Sequence, residues 1–277
     1  MKPINDIKFR QRLSPALYAR DLRDRELGIT QYPINLTEVF NKLSIKYGED
    51  DFDGAQSYYG VLIRKNGTHI LVNSNIYESK KRFTAAHELG HFWIKDHTES
   101  MYRCDAQELE KFRSDVSVER EANEFASEFL LPEEEVRKKL RTKEASLEMA
   151  RQLSERYQTS LTAAAFKMVS CSIDSCALIY SHDGRISWAQ CSPKFRAKCE
   201  LRKGAIDENT YAFDIFIGKS VKDKEQDVGP RGWLSSFPNG LNYILEHSIS
   251  FPNFNSALTF LRLPESEESL DEEEDLY

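Results

Sequence analysis

The stretch Arg82-Phe83-Thr84-Ala85-Ala86-His87-Glu88-Leu89-Gly90-His91-Phe92 decides how this chain is read. Two histidines stand four residues apart with a glutamate directly after the first, the H-E-x-x-H order of metal-dependent hydrolases. On a helix that spacing stacks both imidazoles on one face, where they can grip one Zn2+. Glu88 is then the expected general base, taking a proton from water that the zinc acidifies. The helical context comes from Phe83, Ala86, Gly90 and Ile94, which recur at helical spacing. Asn75 with Glu78 three residues on has the pattern of a capping box, so a helix is predicted over 76–95.

A catalytic zinc takes three protein ligands and keeps one position open, so a third donor is needed. Glu119 leads. It begins a second predicted helix, 117–131, whose apolar stripe is Val118, Ala122, Phe125, Ala126 and Phe129 and which stops before Pro132. Asn123 follows one turn on, placed to orient a ligating histidine. Glu121, roughly 200° around that helix from Glu119, aligns with Glu124 and Glu128 on a face that reads as solvated. His97 follows His87 at the separation used by a third histidine, but that arrangement needs glycine three positions earlier, and Ile94 stands there. Cys104 lies between the two motifs in Met101-Tyr102-Arg103-Cys104-Asp105, a segment without helical pattern that reads as a loop. A thiolate from such a loop would close the open position and hold the site latent, which makes Cys104 the candidate inhibitory ligand. Tyr58, Tyr59, Tyr102 and Arg103 are candidate oxyanion donors by position alone.

Outward from the motif, residues 8–28 and 32–43 predict two helices, and 57–72 predicts a hairpin turning at Asn66-Gly67. More helix is expected over 133–170. From Cys171 the pattern becomes β-like, with strands expected at 177–180, 186–188, 211–217 and 258–263. The expected fold class is α+β: a mostly helical, zincin-like domain with a small sheet over 1–170, then a smaller mixed domain over 171–263. Residues 264–277 hold eight acids and no Lys or Arg, and are expected to be disordered.

Without that acidic tail the chain is nearly neutral, although its formal charge is −7. This argues against a large basic surface built for duplex DNA and leaves room for a local groove that takes single strands. The absence of a long apolar run and of a basic-then-apolar N-terminus predicts neither a membrane span nor secretion. Five cysteines without C-x-x-C spacing suggest reduced thiols rather than a disulfide framework, so the expected location is the cytoplasm.

The block Arg82 to Phe92 and the block Glu119-Arg120-Glu121-Ala122-Asn123-Glu124-Phe125-Ala126-Ser127-Glu128-Phe129-Leu130-Leu131-Pro132 are together similar to the paired blocks of the ImmA/IrrE metallopeptidases. The likeness extends through Pro33-Ile34-Asn35-Leu36 upstream and Ser160 to Met168 downstream, about the first 170 residues. The resemblance implies that His87, His91 and Glu119 ligate zinc and that Glu88 is the catalytic base. The implied activity is site-specific cleavage of a helix-turn-helix repressor in response to stress, a mobile element or phage. Some members of that family carry a GAF-like C-terminal domain, so the second domain is expected to be either such a sensor, with single-stranded DNA or a small molecule as candidate activators, or a domain that enlarges the partner-binding surface. The competing expectation is a non-catalytic regulator, stabilised by zinc, that binds a repressor or nucleic acid.

Overall fold

The computed structural model describes residues 13–52, 58–105 and 117–264, so nearly all of the acidic segment expected to be disordered lies outside the described residues. The chain divides into two compact units. The first comprises the described residues up to Pro132 with Arg156–Ser160, the second Glu133–Glu155 with the described residues from Leu161 onward.

The first unit opens with helix α1, Pro15–Arg20, capped by the Ser14 side chain and continued by a π-helical stretch, Asp21–Glu26. Asn35 caps α2, Leu36–Lys42, by accepting from the Glu38 N–H. Strands β1 (Ile45–Asp50), β2 (Tyr58–Ile63), β3 (Thr68–Asn73) and β4 (Met101–Asp105) form one sheet in the order β1-β3-β2-β4. The expected hairpin is β2 against β3, and both Asn66 and Gly67 at its turn have positive φ, 56° and 102°. Two strands of this sheet escaped the sequence reading. The β1 strand runs parallel to β3, and β4 lies antiparallel to β2 with Cys104 opposite Gly60, so the segment expected as a loop is an edge strand.

Between β3 and β4 runs α3, Glu78–Trp93. The expected capping box is not formed: Tyr77 is the N-cap, without a side-chain bond, and Asn75 instead gives its N–H to Asn73 Oδ1 at 2.8 Å. Helix α4, Ser117–Leu130, packs against α3. The core joins Leu62, Ile70 and Val72 of the sheet to Ala85, Ala86 and Leu89 of α3 and Phe125 and Phe129 of α4. Fully burying each larger side chain contributes about 1.5–3 kcal/mol.

Helices α5 (Glu133–Leu140), α6 (Leu147–Tyr157) and α7 (Leu161–Cys171) follow. The second unit then builds an antiparallel sheet. Strands β5 (Cys176–His182) and β6 (Arg185–Cys191) are joined at Asp183-Gly184, both with positive φ. After α8 (Pro193–Lys198), β7 (Glu200–Leu201) and α9 (Tyr211–Phe216) come β8 (Gln226–Val228), β9 (Leu234–Ser236), β10 (Ile244–Phe251) and β11 (Ser256–Arg262). The five-stranded order is β6-β5-β11-β10-β8, while β7 and β9 pair separately. Residues 211–217, expected as strand, are therefore mainly helix. Phe195, Trp233, Ile179 and Leu261 lie in this unit's core. The whole is an α+β protein, and no helix among the described residues is long and apolar enough to cross a membrane.

Candidate metal centre

Every residue of α3 from Thr84 to His91 is buried. A helix buried on all sides needs small residues where its neighbours press closest, and this one has them. A Cβ at Gly90 would stand 3.2 Å from Ala122 Cα and 3.1 Å from the Phe125 ring, so the glycine allows α4 to approach α3 backbone to backbone. On the opposite side, a Cβ at Gly60 of β2 would come within 2.4 Å of Thr84 Cγ2 and 3.1 Å of Glu88 Oε1. The sheet thereby closes over the glutamate.

That close approach brings the histidines of α3 to the first turn of α4. His87 Nε2 is 3.0 Å from Glu119 Oε2, His91 Nε2 is 3.3 Å from Glu119 Oε1, and the two Nε2 atoms are 3.0 Å apart. Three donors bound about 2.0–2.1 Å from one ion at tetrahedral angles would stand roughly 3.3 Å from each other. The observed triangle fits a small divalent metal with nitrogen and carboxylate ligands. The remaining ring nitrogen of His87 is satisfied by Asn123 Oδ1 at 2.9 Å, the partner expected one turn beyond Glu119.

The electrostatics agree with this donor set. Burial pushes the His91 imidazole down to about 4, against the opposing hydrogen bond from Glu119, so it is neutral and its lone pair is available. Burial alone would raise the Glu119 carboxyl, but hydrogen bonds with His87 and His91 outweigh it and hold the group far below the usual carboxylate range. Glu88 goes the other way. Burial, then the nearby charge of Glu119, raises it well above its ordinary value. Both Glu88 oxygens are buried with no hydrogen-bond partner among the described residues. An orphaned buried carboxyl costs stability, and such groups concentrate at functional sites.

Cys104 is also buried here. Its sulfur lies within 4.8 Å of a ring nitrogen of His87 and an oxygen of Glu88. Tyr102, on the same strand, stacks on His91 with ring centroids 4.1 Å apart and planes 16° from parallel. Arg64 sits over Tyr102 and donates to the His91 and Glu99 carbonyls. Lys80 donates to the Tyr59 hydroxyl, and the Arg103 guanidinium lies over the Tyr58 ring.

The face of α4 read as solvated is not solvated throughout. Glu128 is buried and bonds to Arg20, and Glu121 is mostly covered and bonds to His97. His97 in turn reaches His91 Nδ1 at 3.0 Å, so it touches the centre from outside the donor triangle. Spacing alone did not reveal this link, because it depends on the turn that follows α3. The only sequence signal was the presence of both residues among the rejected ligands.

Residues 42–169 match the model of the IrrE N-terminal-like domain, the M78 peptidase family. No curated protein matches the chain. Among matching solved structures is a Mycobacterium tuberculosis transcriptional regulator, 15% identical, with a TM-score of 0.56 over 90% of this chain and 76% of that one. At that identity the likeness concerns the fold.

Proposed function

Starting from residues 42–169 as a domain of the ImmA/IrrE family, we propose that the chain is a zinc-dependent endopeptidase that cuts a helix-turn-helix transcriptional repressor. The observation that carries this reading is the triangle of His87 Nε2, His91 Nε2 and the Glu119 carboxylate, 3.0–3.3 Å on a side, beside the unpartnered carboxyl of Glu88. His87, His91 and Glu119 would hold the ion, and Asn123 would keep His87 in the tautomer that presents Nε2.

Zinc at this position supplies Lewis acidity, polarising the scissile carbonyl and lowering the pKa of a water molecule towards ~7. Glu88 takes the proton from the attacking water. It then delivers that proton to the leaving amine, so the carboxylate is regenerated as the peptide bond breaks. A raised affinity for protons suits both halves of this task, since the group must hold the proton between the two transfers. The Glu88 side chain is fully buried, with Gly60 of β2 close against it.

The repressor substrate, the setting of stress or phage response and a cytoplasmic location are carried into this proposal from the resemblance to the family. Residues 171–263 are the regulatory part in this reading. Their antiparallel sheet with flanking helices suits a GAF-like sensor whose activator is single-stranded DNA or a small molecule.

The test uses the purified chain, loaded with zinc, and a small helix-turn-helix protein encoded beside it. Wild type is expected to cut that partner at one bond, while Glu88→Gln retains zinc and loses cleavage by at least about 100-fold. Cleavage by Glu88→Gln at the wild-type rate would remove the assignment.

A second reading has an observation of its own. Cys104 comes within 4.8 Å of His87 and Glu88 but stands outside the donor group of His87, His91 and Glu119, so a centre closed by four protein ligands, the form of structural zinc, would require its thiolate to draw closer. In that case the chain is a non-catalytic regulator, or an enzyme held latent by the thiolate.

A further inference from the structure

The peptidase chemistry leaves unused one buried group, His97, and one half-buried group, Glu121. The chain leaves α3 at Ile94, whose backbone is extended (ψ 119°), and folds back so that the His97 N–H meets the Ile94 carbonyl at 3.1 Å. This turn carries the His97 ring under His91, with Nδ1 of one facing Nδ1 of the other at 3.0 Å. The far nitrogen of His97, Nε2, is 3.2 Å from Glu121 Oε2. His97 is 2% exposed.

Hydrogen-bond polarity gives this chain one direction. A histidine that offers its Nε2 lone pair to a metal carries its proton on Nδ1. The Nδ1–H of His91 therefore donates to His97, whose Nδ1 must be bare and whose own proton must sit on Nε2. That Nε2–H donates to the Glu121 carboxylate, which only accepts. The two ligating histidines are thus supported differently. The proton of His87 ends on the neutral amide oxygen of Asn123, whereas that of His91 ends, through a second imidazole, on a full negative charge. The stack of Tyr102 on His91 fixes the ring plane that this chain requires.

We infer that His97 and Glu121 are a positioning pair: together they set the tautomer and orientation of His91 for metal capture and make it the more electron-rich of the two imidazole donors. The inference rests on reading the donor triangle as the metal centre.

The test measures zinc affinity by competition with a chromophoric chelator in the full-length chain, in Glu121→Gln and in Glu124→Gln. Glu124 is an exposed residue on the same helix and serves as the control. Glu121→Gln is expected to weaken zinc binding about 10–100-fold, with the metal-free melting curve unchanged, while Glu124→Gln binds as wild type does. Proton-coupled 15N spectra of the zinc-loaded wild type, labelled at histidine, are expected to show His97 bare at Nδ1 and protonated at Nε2. Zinc binding by Glu121→Gln as tight as by wild type would overturn the inference while leaving the metal centre intact, and so would a His97 proton on Nδ1. A wild-type chain that binds no zinc would overturn the metal reading itself, and the pair would lose its role with it.

Discussion

Glu246 shows at residue scale how this chain handles a buried charge outside the metal centre. It is fully buried on β10, and its carboxylate accepts from Trp233 Nε1 at 2.8 Å, the Ala212 N–H at 2.7 Å and the Ser248 hydroxyl at 2.7 Å. Burial still wins and raises its pKa, although each of those donors pulls it down. A raised carboxyl means that the folded state keeps its proton where the unfolded chain has lost it. The contribution is complete below the ordinary carboxylate pKa and is lost as pH rises through the shifted one. Trp233→Phe removes one donor, so it is expected to cost about 1.5–3 kcal/mol, with a larger loss in denaturant titrations at about pH 8 than at about pH 5. An equal loss at both would show that the carboxyl stays protonated throughout. The same scale explains what the sequence could say about the metal centre. His87 and His91 on one helix, with Glu88 beside them, and Glu119 and Asn123 on the other are set on common faces by helical spacing, and the small residue Gly90 lets the two helices meet. His97 and Glu121 meet only because the backbone turns at Ile94, and no spacing rule contains that turn.

At the scale of elements, the helices with clear periodicity were legible, and α3 and α4 appear close to their expected limits. The misread segments are those where a distant partner decides. Tyr211–Phe216 is rich in aromatic residues and reads as strand, yet Thr210 caps it by accepting from the Phe213 N–H and Glu246 takes another N–H of its first turn. The β10 strand was missed because Glu246, His247 and Ser248 are buried polar residues in its middle, which breaks the alternation expected of a strand. The contact of α3 with α4 offers the sharpest prediction at this scale. Gly90→Ala adds a methyl group against Ala122 and Phe125, where neither backbone can yield cheaply. It is expected to lower stability by about 1–3 kcal/mol. Because the same contact sets the reach of Glu119, zinc affinity should fall as well. An alanine variant that melts and binds zinc like wild type would show that the helices do not rely on this close approach.

At the scale of the whole molecule, the sequence indicated a helical part followed by a β-rich part, and the structure gives two compact units, each with its own core. The role of the second unit was not legible, because its buried residues serve mainly packing, as in the core around Phe195, Trp233 and Leu261, rather than a recognisable motif. The claim on which the account depends lies in the first unit and concerns one ion. X-ray absorption and elemental analysis of the purified full-length protein test it most directly. The account predicts one zinc per chain with two imidazole nitrogens and carboxylate oxygen around it, and loss of that zinc in His91→Ala. No stoichiometric divalent metal, or zinc retained unchanged in His91→Ala, would contradict it, and a sulfur ligand in the active protein would favour the closed centre with Cys104 instead.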